Sequence, residues 1–377
     1  MTIIVLGRFP PPIDGQTLAT ERLATLLERD LRVCRIDTET AQSDGTASAS
    51  RFLYRAAHFV RLRSFLRARL REVPSGDVLW PAISPDIPGH FRDLFVTLPA
   101  VDRSRRIYAV VHRGNFHQLF ESRATRATAQ RFVRRIHRFV FLTDHLSERC
   151  ADWIPHHKRI VIPNTLDDEL IFSDSEVLEK QAMRRRRERL SLLFVGHMLA
   201  SKGYLDVLEA VEEIHRSGAS VEMHFVGRWS NAADREKFEG SVHARGLENV
   251  IVHHGSLAER AAIKSLYRSA DAVLLPTYYR NEAQPLVLLE ALGSGTPVVT
   301  TRHAGIPEMI RDRKEGLLVP ARDPKGIVRA VNELVDLDFW QQLSTAARQR
   351  FLNQYAPDEV RRKWRALVEA GHSREWS

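Results

Sequence analysis

Leu190-Ser191-Leu192-Leu193-Phe194-Val195-Gly196-His197-Met198-Leu199-Ala200-Ser201-Lys202-Gly203 runs from an apolar stretch through a glycine turn to a lysine, and a helical pattern from Tyr204 to His215 follows. A strand that ends in glycine and delivers a lysine to a helix start gathers free backbone amides, a helix dipole and an ammonium at one point, which makes an anion site. A diphosphate suits that site; taken alone, the stretch reads equally as a capped helix with a solvated lysine. The pattern G-x-x-x-x-G-K-[ST] is absent, which argues against a phosphoryl-transfer ATPase.

The same alternation of short apolar strand and longer amphipathic stretch extends in both directions. Upstream the candidate strands are 2–6, 32–36, 77–80, 107–112, 138–142 and 159–163; from the quoted stretch onward they are 190–196, 221–227, 250–255, 272–276, 297–300 and 317–319. Two consecutive βαβ arrays imply an α/β protein of two Rossmann-like doubly wound domains facing a cleft, with ligands beyond the carboxyl ends of the strands. The expected boundaries are 1–165 for the first domain, 166–189 for a polar connector carrying Arg184-Arg185-Arg186-Arg187, 190–355 for the second domain, and 356–377 for a terminal helix free to return to the first.

Composition fits this size. The chain has 377 residues, 27% charged and 44% hydrophobic, which excludes global disorder and makes two domains the natural division. The formal charge of +9 is unevenly placed: residues 1–165 hold 26 basic and 16 acidic side chains, and residues 166–377 hold 30 and 31. A basic half joined to a neutral half points to an anionic surface or polymer on one side only. Cys34 and Cys150 form neither a disulfide framework nor a zinc motif, so a reducing cytosol is the default compartment. Met1 to Gly7 reads as a first strand rather than a signal peptide, and no stretch reaches the ~18–20 apolar residues of a membrane span.

A second loop, Pro276-Thr277-Tyr278-Tyr279-Arg280-Asn281-Glu282-Ala283-Gln284-Pro285, leads into Leu286-Val287-Leu288-Leu289-Glu290. Pro285 suits the first position of a helix, which leaves Glu282 in the loop and Glu290 more than a turn inside. Two carboxylates at different depths suit a polyhydroxylated ligand. The continuation is Gly293-Ser294-Gly295-Thr296-Pro297-Val298-Val299, then Gly305-Ile306-Pro307-Glu308, then Glu315-Gly316-Leu317-Leu318-Val319.

Taken in order, these motifs over residues 190–320 closely resemble the C-terminal domain of the retaining glycosyltransferases of family 4, which have the GT-B fold. The resemblance implies transfer of a sugar from a UDP- or GDP-sugar to a lipid-linked glycan or polysaccharide acceptor. It implies no cofactor and no metal. The first domain would bind acceptor and the second the donor. By motif, Lys202 would hold the diphosphate, Glu290 the ribose hydroxyls and Glu282 the donor sugar, while the amides of Leu286 and Val287 would neutralise the leaving group. Gly15, Gly196, Ala283, Gln284 and, after the next strand, Arg228 complete the expected donor set. His112 sits where the family places a histidine facing the donor sugar, so Glu282, His112 and Lys202 form the expected catalytic group. Two departures stand out: His197 occupies a position the family usually gives to arginine, and Asp14-Gly15 replaces a double glycine.

The basic excess includes Arg51 to Arg71, an apolar stripe among arginines, and a second basic helical pattern over 123–138. These features, with the resemblance, imply a peripheral enzyme at the cytoplasmic face of an anionic membrane. Nucleic-acid binding is the competing class for so basic a chain, but no motif supports it. A sugar-nucleotide epimerase would use the same fold. Asp336-Leu337-Asp338 spells a metal motif of another transferase fold but falls in a helical segment, and the pairs His156-His157 and His253-His254 point to opposite faces of extended chain.

Overall fold

The computed structural model describes residues 1–11, 15–38, 51–73, 75–81 and 83–371. They form two compact units: Met1–Asn164 joined by the chain from Val360 on, and Thr165–Glu359. Each unit is built on one six-stranded parallel sheet.

In the first unit the strands are β1 (Thr2–Gly7), β2 (Arg32–Asp37), β3 (Asp77–Trp80), β4 (Ile107–Val111), β5 (Arg138–Phe141) and β6 (Arg159–Val161), in the order β2-β1-β3-β4-β5-β6. In the second they are β7 (Leu190–Val195), β8 (Val221–Val226), β9 (Ile251–His253), β10 (Ala272–Leu275), β11 (Val298–Thr301) and β12 (Gly316–Val319), in the order β12-β11-β10-β7-β8-β9. The central strands are buried on both faces, which is why they read as continuous apolar runs rather than alternating ones. Each order reverses direction once, between β1 and β3 and between β10 and β7, and at such reversals the crossover helices part and leave a crevice at the carboxyl ends.

One expectation fails. Residues 166–189 are not an exposed connector. The helix Asp174–Arg186 begins with a capping box, Ser173 and Glu176, and buries Val177, Lys180 and Arg184 in the second unit. Lys180 donates to the Tyr267 carbonyl at 2.6 Å and to Thr296, and Arg187 pairs with the fully buried Asp271 at 2.7 Å. Within the arginine run Arg184 and Arg187 are drawn inward because buried carbonyls and Asp271 need donors, while Arg185 and Arg186 stay exposed. Pro285 is the cap of the helix Leu286–Gly293 rather than its first residue.

The basic segment Arg51–Glu72 is a helix whose Leu62, Leu66 and Leu70 are buried, so its stripe packs inside the first unit while Arg61, Arg67, Arg69 and Arg71 stay exposed. The terminal helix Pro357–Ala370 places Arg361 3.4 Å from Asp30. Among the described residues, no helix is long and apolar enough to cross a membrane.

Candidate functional site

The order reversal of the second sheet brings the loop after β7 beside the loop after β10. Three contacts join them: Tyr278 donates its amide to Ser201 O at 2.8 Å, Thr277 Oγ1 reaches the same carbonyl at 3.3 Å, and Gly203 lies against Pro276. Gly203 has φ +84°, and a Cβ there would fall 2.5 Å from Pro276 O, so both conformation and space require glycine. This seam places Lys202 Nζ 2.5 Å from Glu282 Oε2, and that oxygen also accepts from Thr277 Oγ1 at 3.1 Å. Lys202 further sits 5.2 Å from the centre of the Tyr279 ring. The pair is largely buried. Such a cation can be redirected to a stronger anion while Glu282 keeps the Thr277 hydroxyl, and a freed carboxylate oxygen can accept from a sugar hydroxyl.

The helix Leu286–Gly293 starts at the rim of this loop. The amides of Leu286 and Val287 have no intrahelical acceptor, and Ala283 and Gln284 are buried just before them. One turn in, Glu290 is buried and accepts from the Tyr267 hydroxyl at 2.7 Å. Burial first, then the Glu290 charge, raises the Tyr267 phenol well above its usual range, so it stays a donor and fixes the carboxylate. Sequence reading missed Tyr267 and Thr277; their only signal was polarity beside a motif.

His197 and Arg228 follow neighbouring strands, with Met198 N donating to Arg228 O at 2.9 Å. Gly196 and Gly227 approach so closely that a Cβ on Gly227 would fall 1.8 Å from Gly196 O. The His197 ring is 3.3 Å from Ser230 Oγ, and partial shielding, then the charges of Arg228 and Lys202, lower its pKa below 6.5. The ring is therefore neutral at neutral pH. His197→Arg is expected to strengthen nucleoside diphosphate binding about tenfold, the value of one added charge-assisted hydrogen bond; wild type is expected to bind more tightly as pH falls and the ring protonates, and the variant to show little such change. Titration calorimetry at two pH values checks this.

The reversal of the first sheet holds a cavity of about 280 Å³. Gly7 and Arg8 line it from the end of β1, Ile83 and Ser84 from beyond β3, and His112 and Arg113 from the end of β4. His112 Nε2 is buried without a partner, and burial pushes its pKa down to about 4. Gly15 opens the helix Gly15–Glu28, whose next residue, Gln16, also lines the cavity; Asp14 lies outside the described residues. Opposite, Asp93 accepts from Ser84 N at 2.9 Å and pairs with Arg92 at 2.6 Å, yet burial outweighs that pairing and raises its carboxyl to about 6. Neither Arg92 nor Asp93 carried a sequence signal.

His112 gives a pH prediction. Between about 6.5 and about 4 the unfolded chain binds a proton that the folded ring refuses, so stability falls as pH falls through that window. His112→Gln should remove on the order of 3 kcal/mol of that acid-side loss. Melting temperatures from pH 7 to pH 4 would refute the assignment if wild type and variant declined in parallel.

Asp336 caps the helix Leu337–Gln354 and Asp338 pairs with Arg185, which accounts for that motif locally. Among the described residues, no group of three or more His, Cys, Asp or Glu side chains is placed to hold a metal ion.

Residues 177–350 match the family model of the glycosyl transferases group 1. D-inositol 3-phosphate glycosyltransferase of Corynebacterium kroppenstedtii is 33% identical over 196 residues, covering 49% of this chain and 42% of that protein. The putative colanic acid biosynthesis glycosyltransferase WcaL of Escherichia coli is 25% identical over 189 residues, covering 48% and 45%. The chain thus spans less than half the length of these curated relatives. Among solved structures, sucrose-phosphate synthase from Thermosynechococcus elongatus superposes with TM-score 0.74 at 16% identity, covering 98% of this chain and 99% of that one. The lipopolysaccharide glycosyltransferase WaaG gives 0.66 at 15% identity, covering 98% and 99%. The fold is GT-B, two Rossmann-like units.

Proposed function

We propose that the chain is a glycosyltransferase of group 1 that takes a sugar from a nucleotide diphosphate sugar with retention of configuration. The observation that carries this reading is the Lys202–Glu282 pair beside the free amides of Leu286 and Val287, at the order reversal of the second sheet. Lys202 and those amides meet the growing negative charge of the leaving diphosphate, supplying counter-charge that a metal would otherwise provide. Glu290, held by Tyr267, accepts from the ribose hydroxyls, and Gly196, His197 and Arg228 border the nucleotide. Glu282 and the buried loop of Ala283 and Gln284 hold the donor sugar.

In the proposed reaction the bond from the anomeric carbon to the phosphate oxygen breaks. An acceptor hydroxyl forms its bond on the same face, and its proton passes to the departing phosphate oxygen. No carboxylate is assigned as nucleophile or general base. The cavity at β1, β3 and β4, with His112, is the proposed acceptor-side pocket, and the basic first unit suits a lipid-linked or oligosaccharide acceptor at the inner face of a membrane.

The alternatives make distinct forecasts. A transferase releases free nucleoside diphosphate from a UDP- or GDP-sugar when a lipid-linked or glycan acceptor is supplied, and nuclear magnetic resonance of the product shows the donor's anomeric configuration kept. An epimerase would convert the nucleotide sugar with no release. Added EDTA leaves the transferase rate unchanged; a rate abolished by EDTA and restored by a divalent ion would remove Lys202 from its assigned role.

A further inference from the structure

A second concavity in the first unit, about 900 Å³, lies outside the site described above. Six arginines border it: Arg63 and Arg67 from the helix Arg51–Glu72, Arg103 from the turn before β4, and Arg131, Arg134 and Arg135 from the helix Arg126–Arg135. Its remaining lining is apolar, including Leu94, Phe95 and Leu98; no acidic side chain is among the described residues that line it, and the nearest in sequence, Asp102, sits between the lining residues Val101 and Arg103. Phe95 is 55% exposed and stacks on Phe91, with ring centres 5.9 Å apart.

None of the six arginines lies within ion-pair distance of a carboxylate among the described residues. Arg135 donates to the carbonyls of Arg105 and Asp102, and Arg63 Nε is buried without a partner. Burial, followed by the charge of Arg103, lowers the Arg135 pKa, while the nearby Asp102 carboxylate acts in the opposite direction without reversing the shift. Elsewhere arginines in this unit find acids, as Arg35 does with Glu21 and Glu28 and Arg106 with Asp77. Gathering unpaired guanidinium groups round one concavity costs free energy that a multivalent anion would return, and guanidinium forks match phosphate oxygens.

The apolar floor narrows the choice of anion. An exposed phenylalanine and leucines beneath a ring of arginines suit a ligand with a phosphate at one end and hydrocarbon at the other. Nucleic acid fits less well, because the lining offers a single exposed ring, Phe95, one face of which carries Phe91, whereas strand binding uses a series of aromatic platforms for successive bases. We infer that this groove binds the phosphate-bearing headgroup of an anionic lipid, with its chain against Leu94, Phe95 and Leu98. The segment that presents these residues also presents Asp93 and Thr97 to the cavity at β1, β3 and β4. The groove and the proposed acceptor pocket are therefore lined from one short segment, residues 93–98. The inference deepens the acceptor-side reading and rests on it for that last step; lipid binding itself does not require transferase activity.

The test uses the full chain and phosphatidylcholine vesicles doped with phosphatidic acid, against vesicles of equal net charge doped with phosphatidylglycerol. The expected result is tighter binding to the phosphomonoester. Arg131 and Arg134 are exposed, so the double variant Arg131→Ala/Arg134→Ala is expected to fold. It should bind phosphatidic acid vesicles about twenty-fivefold more weakly, at about fivefold per arginine. Phe95→Ser should weaken vesicle binding but not the binding of a soluble short-chain phosphatidic acid headgroup analogue, glycerol phosphate. Nucleoside diphosphate binding, read separately by melting shift, should be the same in wild type and all these variants, so failure of the groove and failure of the donor site are told apart. Vesicle binding that is absent, indifferent to lipid at equal charge, or unchanged in the double variant overturns the inference, as does RNA displacing the vesicles with higher affinity at physiological salt.

Discussion

Lys202→Ala is expected to weaken nucleoside diphosphate binding about a hundredfold, because a buried ammonium facing a diphosphate makes charge-assisted hydrogen bonds of about 1.5–3 kcal/mol each. The substitution also strands Glu282, whose side chain is 8% exposed and, among the described residues, is otherwise held only by Thr277. Breaking one partner from a buried pair destabilises the fold more than the pair itself contributes. The double variant Lys202→Ala/Glu282→Gln separates the effects: it should recover most of the lost melting temperature without recovering affinity. Affinity restored along with stability would mean that Lys202 serves the loop and not the ligand.

Gly203→Ala is the second large effect, and the protein contains its own control. Gly203 and Gly218 share φ +84°, but a Cβ at Gly218 meets nothing within 4 Å, whereas at Gly203 it meets Pro276 O at 2.5 Å and Pro276 Cγ at 2.7 Å. Both substitutions incur the left-handed backbone penalty of about 1–2 kcal/mol. Only Gly203→Ala adds overpacking, typically about 1–3 kcal/mol more, and only it forces apart the two loops that join Lys202 to Glu282. Denaturant unfolding and nucleotide titration of both variants should show a modest stability loss with intact binding for Gly218→Ala, and a larger loss with failed binding for Gly203→Ala. Equal behaviour of the two would show that the seam with Pro276 is not what positions the lysine.

The strands were legible because parallel strands buried on both faces leave uninterrupted apolar runs, and every one of the twelve read from sequence is present with ends shifted by a few residues at most. The loops of the second unit were legible because glycine, proline and lysine are each required there for a reason of backbone or charge. The segment 166–189 is polar, and its polarity reads as exposure although part of it is buried. Lys180 and Arg184 are buried because carbonyls and Asp271 of the same unit need donors, a demand made by residues ninety or so positions away that no local pattern shows. The cluster of Ser84, Arg92 and Asp93 carries no local pattern because helix and loop bring its members together; five of the six groove arginines lie in the basic helical patterns 51–71 and 123–138 that the sequence shows, but their convergence with Arg103 on one concavity is not visible there.

The account centres on a nucleotide diphosphate sugar held by the loops after β7 and β10, and a thermal-melt panel of UDP- and GDP-sugars on wild type and Lys202→Ala tests it most directly. At a hundred times its dissociation constant a true donor stabilises by about 2.7 kcal/mol, enough to raise the melting temperature of a unit this size by about 5 °C or more. The account predicts that at least one member of the panel produces that shift in wild type and that the shift disappears in Lys202→Ala at the same concentration. A panel in which no nucleotide sugar moves the wild-type transition, or in which the variant responds as wild type does, would contradict it.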